Sequence, residues 1–149
     1  MNIARAVAGF DDAIMSCPVD RLEEINSLAE QSKGHVWRFK TAPGETSFLL
    51  PFEAYFHPFD PNRVFFNISV WESIEDLRNY VFKTAHVELW RNRSHWVATI
   101  GKPQLAMWWI PTGQIPTVAE AKEKLVLIQK KGATLEGFDF AKAFPSPDE

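Results

Sequence analysis

The sequence has little cysteine, no long apolar run and almost no excess of charge. Its 149 residues include one cysteine, Cys17, so no internal disulfide can form and a cytoplasmic setting is expected. No apolar stretch approaches the roughly 20 residues that span a bilayer, so no membrane span is expected. A formal net charge of −3 offers no basic surface for nucleic acid.

Several catalytic motifs are missing as well. There is no Cys-x-x-Cys pair, no Gly-rich phosphate loop and no Gly-x-Ser-x-Gly elbow, and no two histidines have ligand spacing on one element. These absences argue against a metal-only site, a nucleotide site and a serine hydrolase.

Aromatic residues, in contrast, are abundant. The chain has 12 Phe and 6 Trp, and such rings either fill a core or line a pocket.

The hydrophobic pattern predicts one α+β domain over residues 1–149. Helical and alternating spacings predict a strand, a helix, two strands, a helix, a strand and a C-terminal helix. The strands are expected at 2–8, 35–40, 63–72 and 104–111, with a short last strand at 138–140, and the helices at 18–31, from 74 onward, at 85–96 and at 118–131. This β-α-β-β-α-β order with an extra helix is that of a ferredoxin-like sandwich.

The helix boundaries carry specific signals. Ser73 with Asp76 has the spacing of an N-terminal cap, in which the hydroxyl accepts a bond from a backbone N–H three residues on, and Thr117 with Glu120 has the spacing of a capping box. Gly132 is placed to end the last helix. The final residues, 145–149, are expected to be a frayed tail.

Residues 63–72, RVFFNISVWE, alternate most clearly and divide into two faces. One face, which should pack under helices, holds Val64, Phe66, Ile68 and Val70. The other face suits a pocket wall and holds Phe65, Asn67, Ser69 and Trp71. In a sandwich with helices on one side only, this second face is too apolar to remain exposed. A second subunit or a small apolar ligand should cover it.

Residues 41–63 form a long proline-rich connection, with a possible short strand at 47–50. Five aromatic residues fall in it, namely Phe48, Phe52, Tyr55, Phe56 and Phe59. A solvent-facing loop is not normally so aromatic. The segment is therefore expected to fold back as a lid or to pack on a partner chain.

Three stretches of the sequence resemble a known family. They are "NISVWESIEDLRNYVFKTAH", "LAMWWIPTGQIPTVAEAKEKL" and "GFDFAKAFP". They are similar to a bacterial and fungal family known only as a domain of unknown function, within the dimeric α/β-barrel superfamily of antibiotic-biosynthesis-type monooxygenases and haem-degrading enzymes. The pattern "SVWES…LR…AH…RNR…W" is more distantly similar to spheroidene monooxygenase, a carotenoid oxygenase that uses haem. The resemblance implies a homodimer in which two sheets form a barrel-like core.

The resemblance also selects His86, which matches the "AH" of the family pattern. It implies that His86 is a general base or, if haem is bound, the ligand of its iron. Asn67 is the second catalytic candidate, as a group that stabilises developing charge. The candidate ligand-binding residues are Arg38, Ser69, Trp71, Trp90, Arg93 and Trp109. His86, Trp90 and Arg93 are spaced four and three apart, which places them on one face of a helix.

Two functions remain open from the sequence. The first is a monooxygenase-like enzyme, cofactor-independent or haem-dependent, acting on a small apolar aromatic or polyene substrate. The second is a non-catalytic dimer that binds a small ligand or haem, in which His86 is structural. Trp108 and Trp109 are adjacent, so they point to opposite faces of a strand, and the sequence leaves open which one faces a pocket.

Overall fold

The fold is described by a computed structural model over residues 1–148. Within these residues the strands are Asn2–Ala6 (β1), His35–Arg38 (β2), Val64–Asn67 (β3), Ser69–Trp71 (β4) and Val97–Ala98 (β5). The α-helices are Ser16–Asp20 (α1), Leu22–Gln31 (α2), Ile74–Lys83 (α3), His86–Arg91 (α4) and Val118–Lys131 (α5). Short 3₁₀ helices occupy Ala13–Met15, Ser47–Phe52, Pro61–Arg63 and Arg93–His95. The predicted α+β class and C-terminal helix are confirmed, while the predicted tail, 145–149, extends to residue 149, outside the described residues.

The strands form two small antiparallel sheets. In the first sheet β1 lies between β3 and β5, and in the second β2 pairs with β4. The predicted strand 63–72 is therefore two strands, interrupted at Ile68, whose carbonyl accepts a bond of 2.8 Å from the N–H of Phe39. None of the helices among residues 1–148 has both the length and the apolar character needed to cross a bilayer.

The predicted strand 104–111 forms only isolated bridges. Leu105 pairs with Asn2, and Met107 pairs with Phe138 through two hydrogen bonds of 2.8 Å each. The predicted last strand, 138–140, is reduced to this second bridge. Pro103 and Pro111 flank the segment, and neither has an N–H to extend the pairing.

The predicted helix caps are confirmed. Ser73 Oγ accepts a hydrogen bond of 3.0 Å from Asp76 N, and Thr117 Oγ1 accepts one of 3.1 Å from Glu120 N. The carboxylate of Glu120 does not complete a capping box, because it accepts a bond of 2.9 Å from Trp108 Nε1 instead. The last helix ends at Lys131, as the sequence predicts, before a glycine with φ of 71°.

The aromatic connection packs into the core of its own chain. Residues 47–50, predicted as a possible strand, belong to the 3₁₀ helix Ser47–Phe52, in which Pro51 has no N–H for a strand ladder. Leu49, Phe52, Tyr55 and Phe56 are buried against the apolar face of the sheets and against α5. The connection is therefore a part of the core of its own chain, where it had been expected to fold back as a lid or to pack on a partner chain.

The coverage of the two faces agrees with the prediction in part: the helix α5 packs on the apolar face, but helices of the same chain also cover part of the mixed face. The apolar face, which includes Val64 and Ile68, packs against the aromatic connection and α5. The Trp71 end of the mixed face lies under α2 and α3, where the Trp71 ring stacks on Tyr80 and packs with the apolar side chains of both helices. Phe65 contacts Phe10, with ring centroids 4.9 Å apart. Alternation identifies residues that share a face but not the element that covers it, so the bare-face reason for a second subunit was wrong.

Candidate functional site

Four rings pack in sequence between the β2–β4 sheet and the helices, and we call them the ring cluster: His35, Trp71, Tyr80 and His86. His35 meets Trp71 edge to face, with centroids 5.2 Å apart and the planes at 86°. Trp71 stacks on Tyr80 at 5.2 Å and 25°, and Tyr80 contacts His86 at 5.1 Å. The cluster links a strand of the second sheet to the first residue of α4.

A row of polar side chains extends from the ring cluster along β4 and β3. Trp71 Nε1 donates a hydrogen bond of 2.9 Å to Ser69 Oγ. Asn67 Nδ2 lies 3.5 Å from the same oxygen and 3.3 Å from Asn2 Oδ1. Alternate residues of a strand share a face, so Asn67, Ser69 and Trp71 are brought together as the sequence predicts. Arg38 is opposite Ser69 in the neighbouring strand.

His86 has one ring nitrogen engaged with the backbone. Its Nδ1 lies 3.3 Å from the carbonyl oxygen of Val81, and because a carbonyl can only accept, Nδ1 is the nitrogen that carries the proton. Burial lowers the pKa of His86 below its usual value, and the bond to Val81 opposes this in part. The imidazole is therefore neutral at pH 7, with its lone pair on Nε2.

Tyr80 is held as a neutral phenol in the middle of the ring cluster. Its hydroxyl donates a hydrogen bond of 3.1 Å to the carbonyl oxygen of Ile25 in α2. Burial raises the pKa of Tyr80 to about 12. Tyr80 therefore serves as a fixed packing surface and not as a base near neutral pH.

A shallow groove of about 650 Å³ runs along β2, and we call it the β2 groove. It is lined by Glu30 of α2 and by the continuous segment 35–40. One oxygen of Glu30, Oε1, accepts bonds from Arg38 Nε at 2.6 Å and Lys40 Nζ at 2.8 Å. The hydrogen bonds from Lys40 and then Arg38 lower the pKa of Glu30 to about 2. His35 Nε2 is buried and has no hydrogen-bond partner among residues 1–148.

A second groove, of about 510 Å³, lies between the α2–β2 turn and α3. It is lined by Ser32, Lys33, Ser73, Glu75, Asp76, Asn79, Tyr80, Lys83 and Thr84. Asn79 Oδ1 is buried there without a hydrogen-bond partner among residues 1–148. Tyr80 is thus shared between this groove and the ring cluster, whereas His86 lines neither groove.

The remaining predicted residues lie elsewhere. The predicted helix 85–96 ends at Arg91, and Arg93 belongs to a separate 3₁₀ helix. The Trp90 ring packs on Phe82, 5.4 Å away, and under the guanidinium of Arg93, 4.0 Å away. Because Phe82 and Tyr80 are two residues apart on α3, they point to opposite sides of that helix. Trp90 and Arg93 therefore do not contact the rings that surround His86. His86 and Trp90 are four residues apart in α4, as the spacing predicts, whereas Arg93 lies outside that helix.

Trp108 and Trp109 point in different directions, as expected for neighbours. Trp108 packs against the apolar core and bonds to Glu120. Trp109 Nε1 donates a bond of 2.9 Å to the carbonyl oxygen of Phe144, in the C-terminal segment. Neither lines the two grooves.

Sequence reasoning missed three residues of this region, Glu30, Lys40 and Tyr80, and gave no role to His35. Tyr80 has a detectable signal, since it follows Ile74 and Leu77 at helical spacing on the inward side of α3. Glu30 and Lys40 are ten residues apart on different elements. Only the turn at Gly34, which reverses the chain between α2 and β2, brings them together.

The surroundings of His86 do not fit a haem. A proximal histidine commonly donates Nδ1–H to a backbone carbonyl, as His86 does, and leaves Nε2 for the iron. However, the Tyr80 ring packs on the imidazole, and neither groove reaches it. No group of three or more His, Cys, Asp or Glu side chains within residues 1–148 is placed to hold a metal ion.

Comparisons with known proteins identify the family to which this chain belongs. The family model described as "Domain of unknown function (DUF3291)" matches residues 1–149. The comparisons with curated proteins and with solved structures gave no match. A match over the full length shows the family, and the chain belongs to the DUF3291 family of domains of unknown function.

Proposed function

We propose that this protein binds a small organic molecule on the helix-facing side of β2 and β4, beside the ring cluster, and that binding is its function. The observation that carries the proposal is the convergence of Arg38, Ser69 and Trp71 next to the β2 groove. His35 connects the two parts, because it lines the groove and also contacts Trp71.

The hydrogen bonds of the ring cluster favour binding over catalysis. The Tyr80 hydroxyl is bonded to Ile25, and His86 Nδ1 to Val81, while Ser69 Oγ accepts from Trp71. Groups committed to such bonds hold a surface in place and have little freedom to transfer protons to a substrate. The groove side chains differ, since Arg38 and Lys40 retain N–H groups beyond those bonded to Glu30.

A monooxygenase-like enzyme is the second candidate, and the tautomer of His86 favours it. A neutral imidazole with its lone pair on Nε2 is the form that a general base requires. Asn67 would then stabilise charge on a substrate, without a cofactor. His86 is the first residue of α4, a helix of six residues that contains no buried side chain.

We also propose the ferredoxin-like strand order, the superfamily, the homodimer and the cytoplasmic setting. The pairing of β3 with β1, of β4 with β2 and of Asn2 with Leu105 supports a ferredoxin-like β-α-β-β-α-β order, with its third strand broken at Ile68. Membership of the dimeric α/β-barrel superfamily, the homodimer, the likeness to spheroidene monooxygenase and the cytoplasmic setting rest on the sequence. Light scattering after size exclusion tests the dimer, and a monomer at micromolar concentration would remove it.

Binding can be tested with two aromatic probes of similar shape, 2-naphthoate and its neutral amide, 2-naphthamide. NMR titration should show saturable shifts for at least one probe at His35, Arg38 and Trp71. Shifts confined to the distant Trp109 and Phe144, or none with either probe, would overturn the proposal.

The enzyme candidate predicts a different result. The protein should consume oxygen with a deprotonatable aromatic substrate, and this activity should be lost in His86→Gln and kept in His95→Gln.

A further inference from the structure

We propose that the β2 groove recognises a carboxylate on its ligand through Arg38 and Lys40, and that Glu30 holds this position until the ligand arrives. The inference rests on the proposed function and names the chemical class of its ligand. Glu30 is itself a carboxylate that both cations contact, so the groove already contains an example of the chemistry that it would recognise.

Arg38 has N–H groups that do not contact Glu30 and that could bind the carboxylate of a ligand. A guanidinium binds a carboxylate most strongly through two parallel N–H groups, yet Arg38 contacts Glu30 through Nε alone. Its Nη1 is 3.5 Å from the Phe39 carbonyl, and its Nη2 has no partner among residues 1–148. The Arg38 side chain is 21% exposed, and its Nη2 is not fully buried.

Lys40 and His35 complete the polar lining of the groove. Lys40 has three N–H donors, of which one is used at Glu30, and its side chain is 62% exposed and can turn toward a ligand. His35 Nε2 is buried without a partner, although most buried polar atoms in proteins have one. A ligand hydroxyl would satisfy this nitrogen in either tautomer of His35, and a carboxylate would satisfy it when Nε2 carries the proton.

The charges of the groove also favour an anion. Two cations face one carboxylate, which leaves one positive charge in excess. The groove follows the free edge of β2, because β2 pairs only with β4. A second copy of the chain could approach that edge, but it would bring its own Arg38 and Lys40 toward the same cations. A small molecule with a carboxylate avoids this repulsion.

Calorimetry of the two naphthyl probes tests the inference. 2-Naphthoate should bind about tenfold more tightly than 2-naphthamide at low salt, and the difference should shrink as salt is added. Arg38→Gln and Lys40→Met should each abolish the preference for 2-naphthoate over 2-naphthamide. Lys40→Met keeps the test valid if Arg38→Gln fails to fold, and Lys130→Met, at the far end of α5, is the matched control.

Glu30→Gln gives the sharpest result. The amide keeps the shape of the side chain but removes the competing charge, so 2-naphthoate should bind several-fold more tightly, while Glu23→Gln on the same helix should not alter its affinity. Equal affinity for both probes in the wild-type protein would overturn the inference and leave the proposed function standing. Failure of both probes to bind would instead overturn the proposed function.

Discussion

The two sides of the sheets differ in what they bury. On one side the aromatic connection and α5 enclose an apolar core whose innermost side chains include Ile3, Phe52 and Leu125, none more than 2% exposed. On the other side, under α2 and α3, rings alternate with hydrogen-bonded polar groups, and His35 and Asn79 have buried atoms without partners. The first side forms the apolar core, and the second keeps unpartnered polar atoms in residues that line the grooves. Gln104 and Thr134 also have unpartnered atoms, but they line neither groove.

The largest expected effect lies on the apolar side. Phe52→Ala should lower the free energy of unfolding by about 3–5 kcal/mol, because a fully buried ring is replaced by a cavity. Leu50, two residues earlier in the same 3₁₀ helix, is 60% exposed, and Leu50→Ala should cost less than about 0.5 kcal/mol. Denaturant unfolding measures both. Similar costs for the two variants would mean that the connection is not a part of the core.

Two glycines, one on each side of the sheets, allow the cost of steric crowding to be separated from the cost of backbone strain. Gly34 and Gly132 both have positive φ, 77° and 71°, so an alanine at either position costs about 1 kcal/mol or more of strain. A methyl group at Gly34 would also lie 2.5 Å from Asp76 Oδ2, whereas none of the described atoms lies within 4 Å at Gly132. Gly34→Ala should therefore destabilise the protein more than Gly132→Ala in thermal unfolding. Equal costs would indicate that Asp76 moves aside freely.

Two tryptophans test the difference in role between the sides. Trp71→Phe and Trp108→Phe each remove one hydrogen bond, to Ser69 and to Glu120, and each should cost about 1 kcal/mol of unfolding free energy. Only Trp71→Phe should weaken the binding of 2-naphthoate, measured by calorimetry. A loss of affinity in Trp108→Phe as well would place the ligand on the wrong side of the sheets.

The smallest effect is a change with pH. Burial holds the pKa of His86 below its usual 6.5, so between these values the unfolded chain binds a proton that the folded chain does not. The stabilising contribution is therefore complete above pH 6.5 and is lost as the pH falls through the folded pKa. His86→Gln should reduce the slope of unfolding free energy against pH below 6.5.

Burial also lowers the pKa of His35, and it lowers the pKa of the Met1 ammonium to about 5, so part of the slope should remain in His86→Gln. Replacing His35 as well should reduce the slope further and leave the part that Met1 contributes. Urea unfolding at a series of pH values from about 7 to 5 provides the measurement. A slope that is unaffected by His86→Gln would mean that its ring is hydrated in the folded protein.

Signals between neighbours in sequence predicted much of the fold. The caps at Ser73 and Thr117, the end of α5 before Gly132 and the strand β2 all depend on residues within a few positions of one another, and all were confirmed. The shared face of Asn67, Ser69 and Trp71 follows in the same way from alternation along a strand.

The sequence by itself thus determined the α+β class, most helix boundaries and the residues that share a strand face, because short-range backbone bonds and side-chain periodicity control them. Only the tertiary structure decided that the aromatic connection fills the core, that α2 and α3 cover Trp71, and that Glu30 meets Arg38 and Lys40. These contacts join distant elements, and they depend on which packing buries the most apolar surface. A periodic pattern along one element does not contain that information.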